Sequence, residues 1–372
     1  MTASRAADER WMRRALALAA RGLGETNPNP AVGCVVARDG RVVGDGFHAR
    51  AGGPHAEVVA LRLAGARARG ATLYVTLEPC AHHGRTPPCA PLVRDSGVTR
   101  VVAAVRDPSP QVAGRGLALL HRAGIAVDTG LLAGEAARLN ERFLAWAGLG
   151  RPFVLLKAAL TLDGRIATAS GRSKWITDGE QRSQARWLRR LHDAVVVGIG
   201  TALADDPLLL PSPRPRRPFL RVVLDSRLRL PETGRLARTA SPRTPVLALT
   251  CAPDAARRRR LEAAGVTVVE VAEEQGRVSL ASAVEALALR GVTSVMVEGG
   301  GEVLGSFLAA RLADQVALFR APLLMGGRGS HPAFGGPDPR DVGEALRLEP
   351  VPPEPPFPWP WAPRFELWRP KR

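Results

Sequence analysis

Short apolar runs rich in β-branched residues recur along the chain, with amphipathic stretches of helical period between them. That alternation leaves few architectures open, because parallel strands need crossover connections, and crossover helices cover the sheet. In the first half it predicts helices over 4–21, 54–69, 112–123 and 135–147. Strands are expected over 31–37, 41–47, 72–77, 98–105 and 125–129. Gly148-Leu149-Gly150-Arg151-Pro152 stops a helix and precedes a new strand, so residues 1–148 and 149–372 are expected to be separate domains. The second half predicts strands over 153–160, 194–198, 219–224, 245–250, 266–271, 294–298 and 315–321. Its helices are expected over 179–191, 254–264, 280–289 and 302–310. Both halves read as α/β, and 372 residues suffice for two cores. The Pro-rich stretch 350–363 reads as extended chain along the surface.

The charge balance, 52 Lys+Arg against 35 Asp+Glu, invites a nucleic-acid reading. Two features weaken it. Only Lys157, Lys174 and Lys371 are lysines, so the excess is arginine and reads as compositional bias. The charge is also spread over both halves, and its sharpest run, Arg257 to Arg260, reads as one solvated helix face. The longest apolar stretch, near 194–204, is broken by glycine and falls short of the ~20 residues of a membrane span. The N-terminus reads as an amphipathic helix rather than a signal peptide, so a cytoplasmic location is expected. In that reducing compartment clustered cysteines serve metal binding or catalysis rather than disulfides.

Four of the seven histidines and three of the four cysteines lie between Cys34 and Cys89. His55-Ala56-Glu57 opens a predicted helix, and Glu78-Pro79-Cys80 through Cys89 follows a strand. A catalytic zinc takes three protein ligands and leaves a fourth position for water. His55, Cys80 and Cys89 supply three ligands of the right kind. Glu57 can sit beside the water without binding metal, take its proton and pass it to a leaving amine. His-x-Glu followed by Pro-Cys is the arrangement of zinc deaminases. Cys34 in an apolar strand and Cys251 near a distant strand end read as packing residues.

Eight residues, Ala-His-His-Gly-Arg-Thr-Pro-Pro, separate the two cysteines, where nucleoside and nucleic-acid deaminases have two. Together with Asn27-Pro28-Asn29-Pro30-Ala31-Val32-Gly33, Gly46-Phe47-His48 and the segment 107–116, this stretch closely resembles the deaminase half of the bifunctional riboflavin-biosynthesis deaminase/reductases. The resemblance implies a cytidine-deaminase-like α/β/α domain with Asn29, His48, His82 and Arg85 lining the substrate pocket. Arg85, on a Gly-containing loop, also suits a phosphate. The family usually has Ser where Ala81 stands, which removes a hydrogen bond but no ligand.

The second half resembles the same family's reductase, which implies a dihydrofolate-reductase-like α/β domain. The resemblance rests on Leu162-Asp163-Gly164-Arg165, Ser173-Lys174-Trp175, Gly198-Ile199-Gly200-Thr201 through Asp205-Asp206-Pro207, Leu224-Asp225-Ser226 and Glu298-Gly299-Gly300-Gly301. Glycines between a strand and a helix let backbone N–H groups approach a phosphate. The family implies NADPH as hydride donor. It also implies cofactor contacts from Ala159, Trp175, Thr201, Asp205, Ser226 and the loop Gly300, Gly301, Glu302, Val303, Leu304, Gly305 and Ser306. Substrate contacts would come from Ser173, Arg189, Leu209 and Glu298. One departure stands out: by direct count Ser212 occupies the place of a substrate-phosphate Arg, leaving Arg214, Arg216 or Arg217 to replace it, or a weakened reductase.

The expected function is therefore two successive steps of riboflavin synthesis on a small phosphorylated pyrimidine, with Zn2+ and NADPH, by a homo-oligomer acting on neither nucleic acid nor membrane. Two rivals exist. A nucleic-acid deaminase would show Pro-Cys-x-x-Cys spacing and an aromatic groove, and this chain has the wrong spacing and 5% aromatics. A zinc-stabilised nucleic-acid-binding protein would recruit a fourth ligand, His82 or Cys34.

Overall fold

The computed structural model describes residues 3–83, 86–109, 112–336, 339–352 and 362–371. Two compact units emerge, one containing Met1–Gly150 and the other Arg151–Pro353 and Trp361–Arg372.

The first unit runs α1 (Ala3–Ala20), β1 (Gly33–Arg38), β2 (Arg41–Phe47), α2 (Ala56–Ala64), β3 (Thr72–Val75), α3 (Cys89–Asp95), β4 (Arg100–Ala103), α4 (Arg115–Arg122), β5 (Ala126–Thr129), α5 (Ala133–Leu139) and α6 (Glu141–Leu149). Its sheet has the order β2-β1-β3-β4-β5, antiparallel around β1 and parallel from β3 onward. Cys34, Val36, Leu73, Val75 and Val101 form one core with Ala60, Leu61 and Leu120 of the covering helices. The helix predicted over 135–147 is two helices. Asn140 divides them with φ −105° and ψ 19°, and its buried side chain pairs with the backbone of Ala31. Asn140 Oδ1 accepts from the Ala31 amide at 2.8 Å, and its Nδ2 donates to the Ala31 carbonyl at 2.9 Å. Helix α3 is absent from the sequence expectation, as Pro87 and Pro88 mask its start.

The second unit runs β6 (Phe153–Leu160), β7 (Arg165–Ala167), α7 (Gly179–Arg190), β8 (Ala194–Gly198), α8 (Ile199–Asp205), β9 (Leu220–Leu224), α9 (Arg235–Arg238), β10 (Val246–Thr250), α10 (Ala255–Ala263) and β11 (Val266–Glu270). It continues with β12 (Glu273–Glu274), β13 (Arg277–Val278), α11 (Leu280–Ala288), β14 (Ser294–Val297), α12 (Gly301–Ala309), β15 (Gln315–Arg320), β16 (His331–Pro332), β17 (Leu348–Pro350) and β18 (Glu366–Pro370). The main sheet has the order β11-β10-β9-β8-β14-β6-β15-β18-β17, all its strands running one way except β18, which is antiparallel to both β15 and β17. Its strands read as unbroken apolar runs because both faces are covered. Val196, Val222 and Leu247 face one core, and their neighbours Val195, Val223 and Ala248 face the other.

Asp178 and Asp254 start α7 and α10 by accepting the amides of Gln181 and Arg257, each at 2.8 Å. The Arg257–Arg260 run lies on α10, mostly exposed, with Arg258 paired to Glu262 at 3.0 Å. The extended reading of 350–363 falls partly outside the described residues, but its flanks are strands β17 and β18, missed because they are short and each ends in proline; β17 is the edge strand, where proline is tolerated.

Replacing Asn140 by Ala leaves the buried amide and carbonyl of Ala31 unpaired. The variant is expected to lose about 2–4 kcal/mol of stability, read as a lower denaturation midpoint at unchanged m-value.

Candidate active sites

The first site is assembled at the carboxyl end of β3. His55 precedes α2 in extended conformation (φ −71°, ψ 162°), and its ring makes no cap bond with that helix. The ring turns instead to two sulfurs: Nδ1 lies 3.6 Å from Cys80 Sγ and 3.2 Å from Cys89 Sγ. Cys80 sits in the loop after β3, and Cys89 opens α3, where its amide donates to Cys80 Sγ at 3.4 Å. The three donor atoms lie within 4.8 Å of one another. One imidazole and two thiols converging in this way fit a zinc ion. Among the described residues no fourth donor joins them. Cys34 is fully buried in the sheet core.

Glu57 falls in the first turn of α2, two residues beyond His55, and is buried. Burial, reinforced by the charge on Cys80, pushes its carboxyl up to about 7. The two thiols share one proton: a hydrogen bond from Cys89 pulls Cys80 down to about 4, and the same bond drives Cys89 up. A divalent cation displaces such a proton, since metal ligands bind as thiolates.

Around this centre, His48 Nδ1 lies 3.0 Å from the Pro54 carbonyl and Nε2 lies 3.1 Å from Asn29 Nδ2. A carbonyl only accepts, so Nδ1 carries the proton and Nε2 accepts from Asn29. Burial pushes His48 below its ordinary value and keeps it neutral. The His48 and His55 rings meet edge to face at 5.2 Å. His82 is half-buried. Arg85 lies outside the described residues, as do Pro110 and Gln111.

Two residues that received no role from sequence shape this site. The buried carboxylate of Glu78 accepts four amides: Asp107 at 3.3 Å, Gly114 at 3.0 Å, Gly116 at 3.0 Å and Leu117 at 3.3 Å. It thereby ties the Pro79-Cys80 loop to the start of α4. Gly116 is obligatory there, since a Cβ would stand 1.9 Å from the Pro79 carbonyl oxygen. Thr86 is the other: its Oγ1 lies 3.0 Å from His55 Nε2.

The second site gathers at the carboxyl ends of β6, β8 and β14. The connection leaving β8 runs toward β9, and the one leaving β14 runs toward β15, so strand order reverses between these two neighbours. Open α/β sheets bind ligands at such a reversal. Gly300 caps α12, and its amide donates to Thr201 Oγ1 at 3.1 Å. Of the three consecutive glycines, Gly300 alone leaves room beside the backbone. A Cβ on Gly299 would meet Val303 at 2.6 Å, and one on Gly301 would meet the Pro332 carbonyl at 2.4 Å. Gly305 is likewise required by Gly335, whose carbonyl lies 1.7 Å from its would-be Cβ. These glycines therefore let a neighbouring segment cross α12, a packing role that the sequence pattern does not separate from phosphate binding.

The remaining expected residues divide by what their side chains do. Trp175 is 70% exposed with the Arg182 guanidinium 4.4 Å from its ring centre, and Lys174 beside it pairs with Asp205 at 3.0 Å. Ser173 and Val303 are half-buried, and Glu302 is exposed. Ser306 donates to the Glu302 carbonyl at 2.7 Å. Ser226 Oγ accepts the Val278 amide at 3.1 Å and so anchors β13. Ala159 is paired within β6 to Phe319, which leaves its backbone edge as its contribution. Leu209 and Leu304 point into the two cores, so only their backbones can face a ligand.

Arg189 forms a fork on Glu298, through Nε to Oε1 and through Nη2 to Oε2 at 2.9 Å, and its Nη1 reaches the Leu210 carbonyl at 3.1 Å. Lys157, which sequence gave no role, lies 3.6 Å from Glu298 Oε2. Burial pushes Glu298 upward, but Arg189 and Lys157 outweigh it and hold the carboxyl down to about 2. Of the three candidates for the missing phosphate partner, Arg217 is committed elsewhere. It pairs with Asp193 at 3.2 Å and donates to the carbonyls of Arg190 and His192.

A three-donor metal site with a buried Glu on one sheet, and a site at the strand reversal of another, define a zinc-dependent deaminase joined to an NADPH-dependent reductase. Comparison with known proteins agrees. Residues 5–105 match the family model for the cytidine and deoxycytidylate deaminase zinc-binding region, and residues 152–352 match the RibD C-terminal domain. The riboflavin biosynthesis protein RibD of Bacillus amyloliquefaciens is 45% identical over 322 residues, covering 86% of either chain. Its Escherichia coli K12 counterpart is 43% identical over 333 residues, 86% of this chain and 89% of that one. Among solved structures, Acinetobacter baumannii RibD superposes with a TM-score of 0.86 at 36% identity, covering 99% of this chain and 100% of that one. The diaminohydroxyphosphoribosylaminopyrimidine deaminase/5-amino-6-(5-phosphoribosylamino)uracil reductase of Thermotoga maritima gives 0.83 at 37% identity, with the same coverage. The chain belongs to the RibD family of bifunctional deaminase/reductases of riboflavin biosynthesis.

Because Glu298 titrates below the ordinary 4.5 in the folded state, its ion pairs stabilise the fold above that pH, and the gain is lost as pH falls toward about 2. Glu298→Gln is expected to be less stable than wild type by roughly 3 kcal/mol at pH 7, with the difference shrinking between pH 4.5 and 2. Denaturant unfolding across that range checks it.

Proposed function

We propose that residues 1–148 deaminate 2,5-diamino-6-(5-phosphoribosylamino)pyrimidin-4-one and that residues 149–372 then reduce its ribosyl chain to ribityl. The convergence of His55, Cys80 and Cys89 beside the buried Glu57 carries this reading. His55 Nδ1 and the two cysteine sulfurs would hold the zinc, which when bound would acidify a water molecule. Glu57 takes that water's proton on its carboxylate and returns it to the amine that leaves as ammonia. Neutral His48, held between Asn29 and the Pro54 carbonyl, packs beside the pyrimidine, with Asn29, His82 and Arg85 as its polar partners.

NADPH, when bound at the second site, would supply the hydride that reduces the imine form of the opened ribose. Lys157 gives the balancing proton to the imine nitrogen. Burial lowers its pKa and makes that transfer easier. Arg189 keeps Glu298 ionised and aimed at the substrate. Arg214 or Arg216 replaces the family's phosphate-binding Arg. The altered 208–214 segment remains anchored: Arg189 holds the Leu210 carbonyl, Arg221 holds that of Leu208, and Leu209 fills the core. That anchoring favours an active reductase.

The partner is a small phosphorylated pyrimidine rather than nucleic acid, and the enzyme works in the cytoplasm as a homo-oligomer. Among the described residues no helix is long and apolar enough to cross a membrane.

The test follows ammonia release and NADPH oxidation separately. Glu57→Gln with zinc bound is expected to slow ammonia release by about 10²–10⁴-fold, while reduction of the ready-made deaminated intermediate continues. Wild-type ammonia release by that variant would sink the assignment.

A further inference from the structure

The eight residues between Cys80 and Cys89 do more than connect two ligands. His55 offers two ring nitrogens, and only Nδ1 faces the sulfurs, at 3.6 and 3.2 Å. The opposite nitrogen, Nε2, lies 3.0 Å from the hydroxyl of Thr86, six residues beyond Cys80 within that insert. A cation held by the three donors takes the lone pair of Nδ1, so the ring proton must sit on Nε2. The Thr86 oxygen is placed to accept it. His55 makes no capping bond to α2 that would otherwise fix its ring.

We propose that Thr86 is a positioning residue of the deaminase centre, holding His55 in the Nε2–H tautomer and its ring in the plane that aims Nδ1 at the metal. The inference rests on the zinc reading of His55, Cys80 and Cys89. It gives the long insert a purpose: this loop carries, six residues beyond Cys80, the orienting group of its own metal site. Partners that orient a metal-binding imidazole ordinarily affect affinity as well as activity.

The experiment measures zinc affinity of the full-length wild type, Thr86→Val and Thr86→Ser by competition with a chromogenic chelator. Valine keeps the shape and removes the hydroxyl, and serine keeps the hydroxyl. Thr86→Val is expected to bind zinc roughly 10- to 100-fold more weakly, with Thr86→Ser close to wild type. NADPH-dependent reduction of the deaminated intermediate by all three reports on folding. Wild-type zinc affinity in Thr86→Val overturns the proposal. So does equal weakening in Thr86→Ser, because the hydroxyl then does not matter. A Thr86→Val chain that also loses reduction has a global defect, and Thr86→Ser then decides. A wild-type chain that takes up no zinc overturns the zinc reading itself, and this proposal with it.

Discussion

Where these sheets stop, backbone amides and carbonyls are left in dry surroundings, and an unpaired buried polar group is costly. Short oxygen-bearing side chains meet them in both units. Asn140 completes Ala31, Glu78 closes four amides around the Cys80 loop, Asp314 takes the Val154 amide, and Asp193 takes those of Thr293 and Ser294. The active sites are built on the same requirement. Thr201 receives the Gly300 amide at the reductase site, and Cys80 sulfur receives that of Cys89 at the metal site. Satisfying the backbone and placing the chemistry are here one task.

The basic composition takes part in it too. Arg221 is fully buried in β9 and donates to the Leu208, Thr239 and Thr244 carbonyls. Arg217 reaches two more carbonyls, and Arg151 grips Asp314 while donating to Pro152. A guanidinium presents five donors in a fixed fork and suits this work better than an ammonium does. The arginines that looked like a polyanion footprint in the sequence include several structural clasps.

What the sequence shows well is what depends on local period. Phe153–Leu160 and Ala194–Gly198 are strands as expected, because a parallel strand buried on both faces spells itself as an unbroken apolar run. The metal donors are legible because few side chains can do that chemistry. The rest depends on partners far away in the chain. Asn140 breaks a helix that its neighbours favour, for a contact 109 residues distant. Gly299, Gly301 and Gly305 look like phosphate-loop residues, yet the structure around them requires them for close packing. Thr86 and Glu78 carry no local signal, since a threonine in a loop or a glutamate after a strand has many uses. The Leu209 side chain turns into the core, although the residue stands in a substrate-contact segment of the family pattern.

The Asn140–Ala31 pairing also bears on synthesis. Residues 31 and 140 bracket most of the first unit, including every strand of its sheet. A nascent chain ending at residue 139 has all five strands but lacks the side chain that pairs the backbone just before the first of them. Since domains fold as units while synthesis proceeds from the N-terminus, this unit seals only when its last helices emerge.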